Sequence, residues 1–259
     1  MISGKYIPEV YWDEVAKQIE RRKAENFIAG DNEPFYRYKK NKFLQLLATI
    51  NFADKKVLEV GSGPGGNLLE IYKQGPATLF GVDISDEMIR LSGKNIGNKS
   101  ITVLKTNGNS LPFADRYFDI IITATVLQHI TDDKVLATLI KSMCNAATSD
   151  IYIFERIERK KKISESNTGR TINEYAAYFT DNNFYLDEVR FAYLHSSYIA
   201  CGVVRKIFNK RNRGEGEAVS CLSGTIQKII LPFTKKLDNM LKRKRDLAML
   251  HFKRAEPLA

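Results

Sequence analysis

At 259 residues, 44% of them hydrophobic and 27% charged, the chain can bury one large core or two small ones, which excludes an intrinsically disordered protein. Three Cys (Cys144, Cys201, Cys221) and three His fall in no paired ligand spacing, which argues against a zinc site or a disulfide framework, so no metal is expected. The net charge of +10 leaves nucleic acid, anionic lipid and phosphorylated substrates open as partners.

The segment Met1 to Tyr6 has no apolar signal region, and no run reaches 18 apolar residues, so the expected location is cytoplasmic with no membrane span. Pro8 to Ala29 is predicted helical, with Val10, Trp12, Val15, Ile19 and Phe27 at helical spacing and a charged face at Glu20-Arg21-Arg22-Lys23. Gly30 to Pro34 breaks it, and a second helix from near Phe35 carries Phe43, Leu44, Leu46 and Leu47 toward a core. Tyr36, Arg37 and Tyr38, at the start of that helix, either reach a carboxylate, onto which Arg forks, or simply pack and solvate.

The next stretch organises the rest. Val57-Leu58-Glu59-Val60 is a short apolar run ending beside glycines at alternate positions, Gly61, Gly63 and Gly65, followed by the helical pattern Asn67 to Gln74. Such a strand-to-helix turn presents bare backbone to a ligand near the positive end of the helix. Thr78 to Asp83 is a second strand, ending in an acid about 20 residues after the glycines, where a carboxylate can accept both ribose hydroxyls. Ser85-Asp86-Glu87 caps a helix running to about Asn95, in which Met88 either touches a bound base or belongs to the core. Ile101 to Leu104 is a third strand and Phe118 to Ala124 a fourth, so the sheet is parallel and doubly wound, with any ligand at the carboxyl ends of its strands.

Thr123 to Ile130 follows the fourth strand and is where chemistry is expected. Thr131-Asp132-Asp133 caps a helix to about Asn145, and Asp150 to Glu155 is a fifth strand that delivers Glu155 and Arg156 to the same edge. The basic run Arg156 to Lys162 reads as a solvated loop, and Gly169-Arg170-Thr171 precedes a helix from Ile172 to Thr180. Arg170 either binds a phosphate or carboxylate or is solvated. Asn183 to Tyr193 is a sixth strand, and the best seventh is Leu247 to Lys253, far downstream.

The intervening stretch has helical content, because a structureless loop of that length is rare in a compact domain. Arg205 to Arg245 holds 12 Lys and Arg against three acids. Ile226, Ile229, Ile230, Phe233, Leu237, Met240 and Leu241 form one stripe, and Pro232 is expected to start or kink the helix. That stripe either packs on the sheet and caps an acceptor pocket, the favoured reading, or lies on an anionic bilayer through residues 222–245.

From about Val57 to Glu155 the chain resembles class I S-adenosylmethionine (SAM)-dependent methyltransferases, most strongly at E-V-G-S-G-P-G, G-V-D-I-S, L-P-F-A-D and Y-F-D-I-I. The resemblance implies a Rossmann-like sheet of seven strands with the last antiparallel. It divides the chain into an N-terminal helical lid (1–50), a SAM-binding core (51–193), a basic helical insertion (194–245) and the last strand with its tail (246–259). SAM is the implied cofactor, held by Glu59, Gly61, Ser62, Gly63 and Gly65 of the first motif and by Asp83 at the ribose, with Ile84 and Met88 beside the adenine. Asn107 and Gly108 stand where the family places its adenine-reading acid, Asn accepting through its amide oxygen, and Thr125 flanks the cofactor from the fourth strand.

His129 matches a His common in such families and is either a general base or a structural group beside the cofactor. Tyr36, Arg37, Tyr38, Glu155 and Arg170 are the candidate acceptor contacts. The implied reaction is methyl transfer to a small-molecule or lipid-linked acceptor, a hydroxyl of a sugar or glycan intermediate or of a quinone-like lipid, as in bacterial enzymes of this type. Two alternatives stay open: an RNA methyltransferase, for which interleaved aromatics are sparse, and a non-catalytic SAM-binding protein at a membrane surface. The Asn-Pro-Pro-Tyr motif of base and amide methylation is replaced by Thr123-Ala124-Thr125-Val126.

Overall fold

The computed structural model describes residues 6–21, 32–210, 213 and 216–255. Met1 to Lys5, Arg22, Lys23, Phe27, the predicted helix end at Ala29 and the break at Gly30-Asp31 lie outside the described residues.

Two helices, α1 (Pro8–Arg21) and α2 (Pro34–Leu47), precede an alternation of strand and helix: β1 (Lys56–Val60), α3 (Gly66–Tyr72), β2 (Thr78–Asp83), α4 (Asp86–Ile96), β3 (Thr102–Lys105), β4 (Phe118–Ala124), α5 (Asp133–Ala146) and β5 (Ala147–Ile157). A two-residue ribbon, β6 (Lys162–Ile163) with β7 (Thr168–Gly169), leads to α6 (Ile172–Thr180) and β8 (Phe184–Phe191). Then come α7 (His195–Phe208), α8 (Cys221–Leu241) and β9 (Asp246–Arg254). The seven-stranded sheet has the order β3-β2-β1-β4-β5-β9-β8, and β9 runs antiparallel to both its neighbours. This is the Rossmann-like sheet with an antiparallel last strand that the resemblance implies.

Central strands read as continuous apolar runs because both their faces are covered. Alternation along them sorts the core into two. Leu58, Ile121 and Ile151 face Leu136, Leu139, Ile140 and Met143 of α5 and Tyr175 and Phe179 of α6, with Phe179 stacked on Phe252 at 3.9 Å between ring centres. Val57, Ile120, Ile122 and Phe154 face Leu68 and Ile71 of α3 and Phe35, Phe43 and Leu47 of α2. Phe43 meets Phe154 edge-on at 4.7 Å, which seats α2 on the end of β5. The other N-terminal helix, α1, packs Val15, Ala16 and Ile19 on Met88 and Leu91 of α4.

The segment between β8 and β9 is a pair of helices, and the stripe expected to pack on the sheet does not do so. The buried residues of α8 are Ser223, Gln227, Leu231, Thr234 and Asp238. Ile229, Phe233, Leu237, Met240 and Leu241 are exposed, and Ile226 and Ile230 are half-buried. The reason is what α8 packs against. Asp238 accepts from the open amides of Ser196 (2.6 Å) and Ser197 and from Ser197 Oγ (2.6 Å), so it caps the N-terminus of α7. Gln227 Nε2 donates to buried Glu33 (2.7 Å), and Gln227 Oε1 accepts from the amide of Phe35 (3.2 Å), which ties α8 to the start of α2. Polar neighbours claim the polar face. Pro232 lies inside α8 and does not start it.

Candidate active site

The carboxyl ends of β1, β2 and β4 open into a cavity of about 880 Å³, closed on the far side by residues of α1, α2 and α7. The turn after β1 forms its floor. Gly61 and Ser62 donate their amides to the Val82 carbonyl (2.8 and 3.0 Å), and Gly63 donates its amide to Asp83 Oδ2 (2.8 Å). Gly61 has φ +72°, and a Cβ there would stand 2.3 Å from a Val126 methyl, so this glycine is fixed by the loop after β4 as well as by the turn. Ser62 and Gly63 line the cavity, and buried Ser62 Oγ has no hydrogen-bond partner among the described residues.

Two residues of the first motif act differently from their expected role. Gly65 is not on the cavity wall: a Cβ on it would lie 2.6 Å from Ser92 Oγ, so it lets α3 approach α4. Glu59 is fully buried beneath the turn, where its Oε1 accepts from Asn67 Nδ2 (2.7 Å), and Asn67 is the residue that reaches the cavity. Burial pushes the Glu59 carboxyl up to about 8, against the pull of the Asn67 amide.

Asp83 sits at the cavity wall with one bond to each oxygen: Oδ2 accepts from Gly63, and Oδ1 accepts from the Ser85 amide at 3.0 Å. Burial raises its pKa, and these amides, with that of Ile84, pull it back. The carboxylate keeps acceptor capacity for a further donor. Ile84, Met88 and Gly108 share the wall with it, and Met88 is at the same time buried against α1. Asn107 also borders the cavity, but its amide oxygen accepts from the backbone of Asn109 (2.9 Å) and Ser110 (3.0 Å). That closes a turn within its own loop, so the oxygen is not the acceptor the sequence suggested.

The loop after β4 is held in an unusual form. Thr125, which lines the cavity, has φ +57°, costly for a β-branched residue, and its amide donates to the Phe154 carbonyl at 2.8 Å. Glu155 and Arg170, both expected at the acceptor, instead clamp this loop and do not line the cavity. The Glu155 carboxylate accepts from the amides of Val126 (2.9 Å), Leu127 (2.8 Å) and Gln128 (3.3 Å), and burial pushes its carboxyl up to about 7. Arg170 is buried, donates to the carbonyls of Leu127 (3.1 Å) and Ile130 (2.9 Å), and pairs with Asp133 (2.8 Å).

The clamped loop presents His129 to the cavity. Its Nδ1 lies 3.1 Å from the Ser166 carbonyl, which can only accept, so Nδ1 carries the proton. Nε2 then holds the lone pair and takes a hydrogen from Gln128 Nε2 at 3.1 Å. Trp12 of α1 stands edge-on to the imidazole at 5.1 Å.

The three residues at the start of α2 part company. Tyr36 lines the cavity and its hydroxyl accepts from Arg205 Nη1 of α7 (3.0 Å). Arg37 is exposed, donates to Asn32 (2.9 Å) and is absent from the cavity wall. Tyr38 is buried toward α8, its ring 4.7 Å from Lys235 Nζ. The acceptor-contact expectation thus keeps Tyr36 and loses Arg37 and Tyr38. Lys39, Lys40, Arg156, Trp12 and Tyr198 are further wall residues. For Lys39 and Lys40 the helical period from Tyr36 is the usable signal, since i+3 and i+4 share a face. Trp12 carried no such signal, because its contact with His129 spans far-separated parts of the chain.

Residues 57–148 match the methyltransferase domain family. The ubiquinone/menaquinone biosynthesis C-methyltransferase UbiE of Shewanella piezotolerans is 30% identical over 95 residues, which cover 33% of this chain and 37% of that protein. The match thus spans little more than a third of that relative's length. Among solved structures, magnesium protoporphyrin IX methyltransferase from Synechocystis with bound SAH superposes with a TM-score of 0.60 at 12% identity, over 95% of this chain and 98% of that one. A putative sarcosine dimethylglycine methyltransferase from Galdieria sulphuraria gives 0.61 at 13% identity, over 96% and 100%. The sheet order, the glycine turn and the acid at the end of β2 agree with these matches: residues 57–148 are similar to a methyltransferase domain, and the chain shares the fold of class I SAM-dependent methyltransferases.

Proposed function

We propose that this chain binds SAM in the cavity and transfers its methyl to a hydroxyl of a small-molecule or lipid-linked acceptor. The observation that carries the reading is Asp83, a buried carboxylate on the cavity wall whose oxygens are fixed by the amides of Gly63 and Ser85 and keep capacity for a further donor. That is the acceptor geometry a ribose diol requires. Ser62 Oγ, buried without a partner beside it, is a second unfilled polar position. The residues that would hold the cofactor are the Gly61–Gly63 turn, Asp83, Ile84, Met88, Gly108 and Thr125. When bound, SAM supplies a methyl group on a sulfonium.

The work of the protein is then alignment and exclusion of water. Trp12, Phe35, Tyr36, Phe43 and Tyr198 give the cavity aromatic walls, and Lys39, Lys40 and Arg156 add positive charge. Together they suit an apolar or aromatic acceptor that carries a negative group. UbiE by name acts in ubiquinone/menaquinone biosynthesis, a precedent for a quinone-like lipid here, although it is by name a C-methyltransferase.

His129 can take the hydroxyl proton at Nε2 once that atom is released by Gln128. Gln128 Oε1 has no partner among the described residues, so a half-turn of the carboxamide offers an acceptor in place of a donor. The pair can thereby hold the imidazole neutral or protonated. The decisive experiment is incubation with methyl-labelled SAM and a fractionated extract: label entering glycan or lipid is expected, label entering RNA favours the nucleic-acid alternative, and label entering nothing favours a silent SAM binder. His129→Gln should lower kcat about 100-fold or more with SAM affinity unchanged, and unchanged kcat would restrict His129 to a structural role.

A further inference from the structure

One large surface is used by neither the core nor the cavity. Leu222, Ile229, Phe233 and Met240 of α8 lie at i, i+7, i+11 and i+18, one stripe of a helix, and are 56%, 62%, 68% and 78% exposed. Leu237 and Leu241 beside them are exposed too, and α7 adds exposed Ile199, Val203 and Ile207 at successive i+4 steps. The opposite face of α8 holds the helix to the domain through Asp238, Gln227 and Ser223, so the stripe is not a core face left over from incomplete packing. Residues 222–245 carry Lys228, Lys235, Lys236, Lys242, Arg243, Lys244 and Arg245 against the single acid Asp238, which is buried. The outward surface of this stretch is therefore apolar and cationic, with no exposed acid. No helix among the described residues is long and apolar enough to cross a membrane.

We propose that α8 and the Lys242–Arg245 run dock the protein flat on an anionic lipid surface, the Leu222–Met240 stripe entering the acyl boundary and the basic residues meeting headgroup phosphates. A second copy is a worse occupant. A two-fold contact through this stripe would set each copy's lysines against the other's, with no exposed acid between them. RNA would satisfy the lysines but leave Ile229, Met240 and Leu222 in water, with Phe233 alone to stack. The inference goes beyond methyl transfer and does not depend on it, because no cavity residue takes part.

The test is sedimentation of the full chain with vesicles of phosphatidylcholine alone and of phosphatidylcholine mixed with phosphatidylglycerol, without cofactor or acceptor. Binding to the anionic vesicles alone is expected. The double variant Ile229→Glu/Phe233→Glu should lower it about tenfold or more. Lys242→Glu/Arg243→Glu/Lys244→Glu should lower it similarly and flatten its salt dependence. All five positions are exposed, so thermal melts and SAM affinity should match the wild type. The proposal is overturned by no vesicle binding, by equal binding to neutral and anionic vesicles, or by binding that the double variant retains. It is overturned equally by a dimer that the double variant dissociates while vesicles are ignored, or by retention on RNA with vesicles ignored.

Discussion

Two regions of this molecule bury polar side chains, and they do so to opposite ends. At the ends of β1 and β2, buried Ser62 Oγ has no partner among the described residues and the Asp83 carboxylate keeps capacity for a further donor. Along the inner face of α8, Ser223, Gln227, Thr234 and Asp238 are hydrogen-bonded to one another's neighbours and to α7 and α2. Burying a polar group without a partner costs about 1–3 kcal/mol, so an unfilled set is a strain that a ligand relieves, whereas a filled set is a joint.

Exchanging the two kinds of position sharpens this most. Asp83→Ala should weaken SAM binding by about 100-fold or more in calorimetry, since hydrogen bonds to an ionised group contribute about 1.5–3 kcal/mol each. Asp83→Asn, which keeps the shape and one acceptor, should lose less. Affinity unchanged in the Ala variant would remove Asp83 from the site and break the comparison. In the seam, Asp238→Ala should cost about 3 kcal/mol in denaturant unfolding by orphaning two amides and leaving Ser197 Oγ with Thr234 alone, with SAM affinity intact in the folded fraction. A loss of SAM binding with stability unchanged would show that α8 belongs to the site.

How much of this could be read from the sequence follows the same division. The strand, glycine turn and Asp83 were legible because their logic is local: an apolar run, positive-φ glycines and an acid at the next strand end. The antiparallel β9 was found because Leu247 to Lys253 was the best strand candidate after the insertion, and β9 spans Asp246–Arg254. Glu155 and Arg170 were misread because their partners lie 27 to 43 residues away, in the loop after β4, and an unpaired carboxylate or guanidinium in a sequence looks available. Asn107 was misread for the reverse reason, its oxygen being taken by residues two and three along. For α8 the period was right and the direction wrong: periodicity defines a face, but only the neighbours decide whether it turns inward, and here they were the open amides of α7 and the buried Glu33.

A third prediction tests the floor of the site. Glu59 holds a proton in the folded protein up to about pH 8, whereas the unfolded chain releases it near 4.5. Folding thus gains fully from this residue below about 4.5, and the gain is lost as pH rises toward 8, which makes the native state less stable at pH 8 than at pH 5. Glu59→Gln keeps the acceptor for Asn67 and removes the titration, so it should flatten that slope by roughly 3 kcal/mol across the interval. The Glu155 carboxyl, pushed up to about 7, has the same sign and leaves a smaller residual slope below that pH. A slope identical in both proteins would mean that Glu59 is ionised when folded, and its partnerless Oε2 would then need a cation or a donor from the cavity.

The smallest effect is the most discriminating for α8. By the amphipathic pattern alone Phe233 is a core residue, and Phe233→Ser should then cost about 3 kcal/mol or more, as truncation of a buried aromatic does. In the structure Phe233 is 68% exposed and touches no core cluster, so the substitution should move unfolding free energy by less than about 0.5 kcal/mol. Leu231, one turn position inward and buried with the α2 core, provides the internal standard: Leu231→Ser on the same helix should cost several times more. If the two substitutions cost the same, the helix is rotated from the orientation described, Asp238 no longer faces α7, and the stripe is part of the fold and not a surface for lipid.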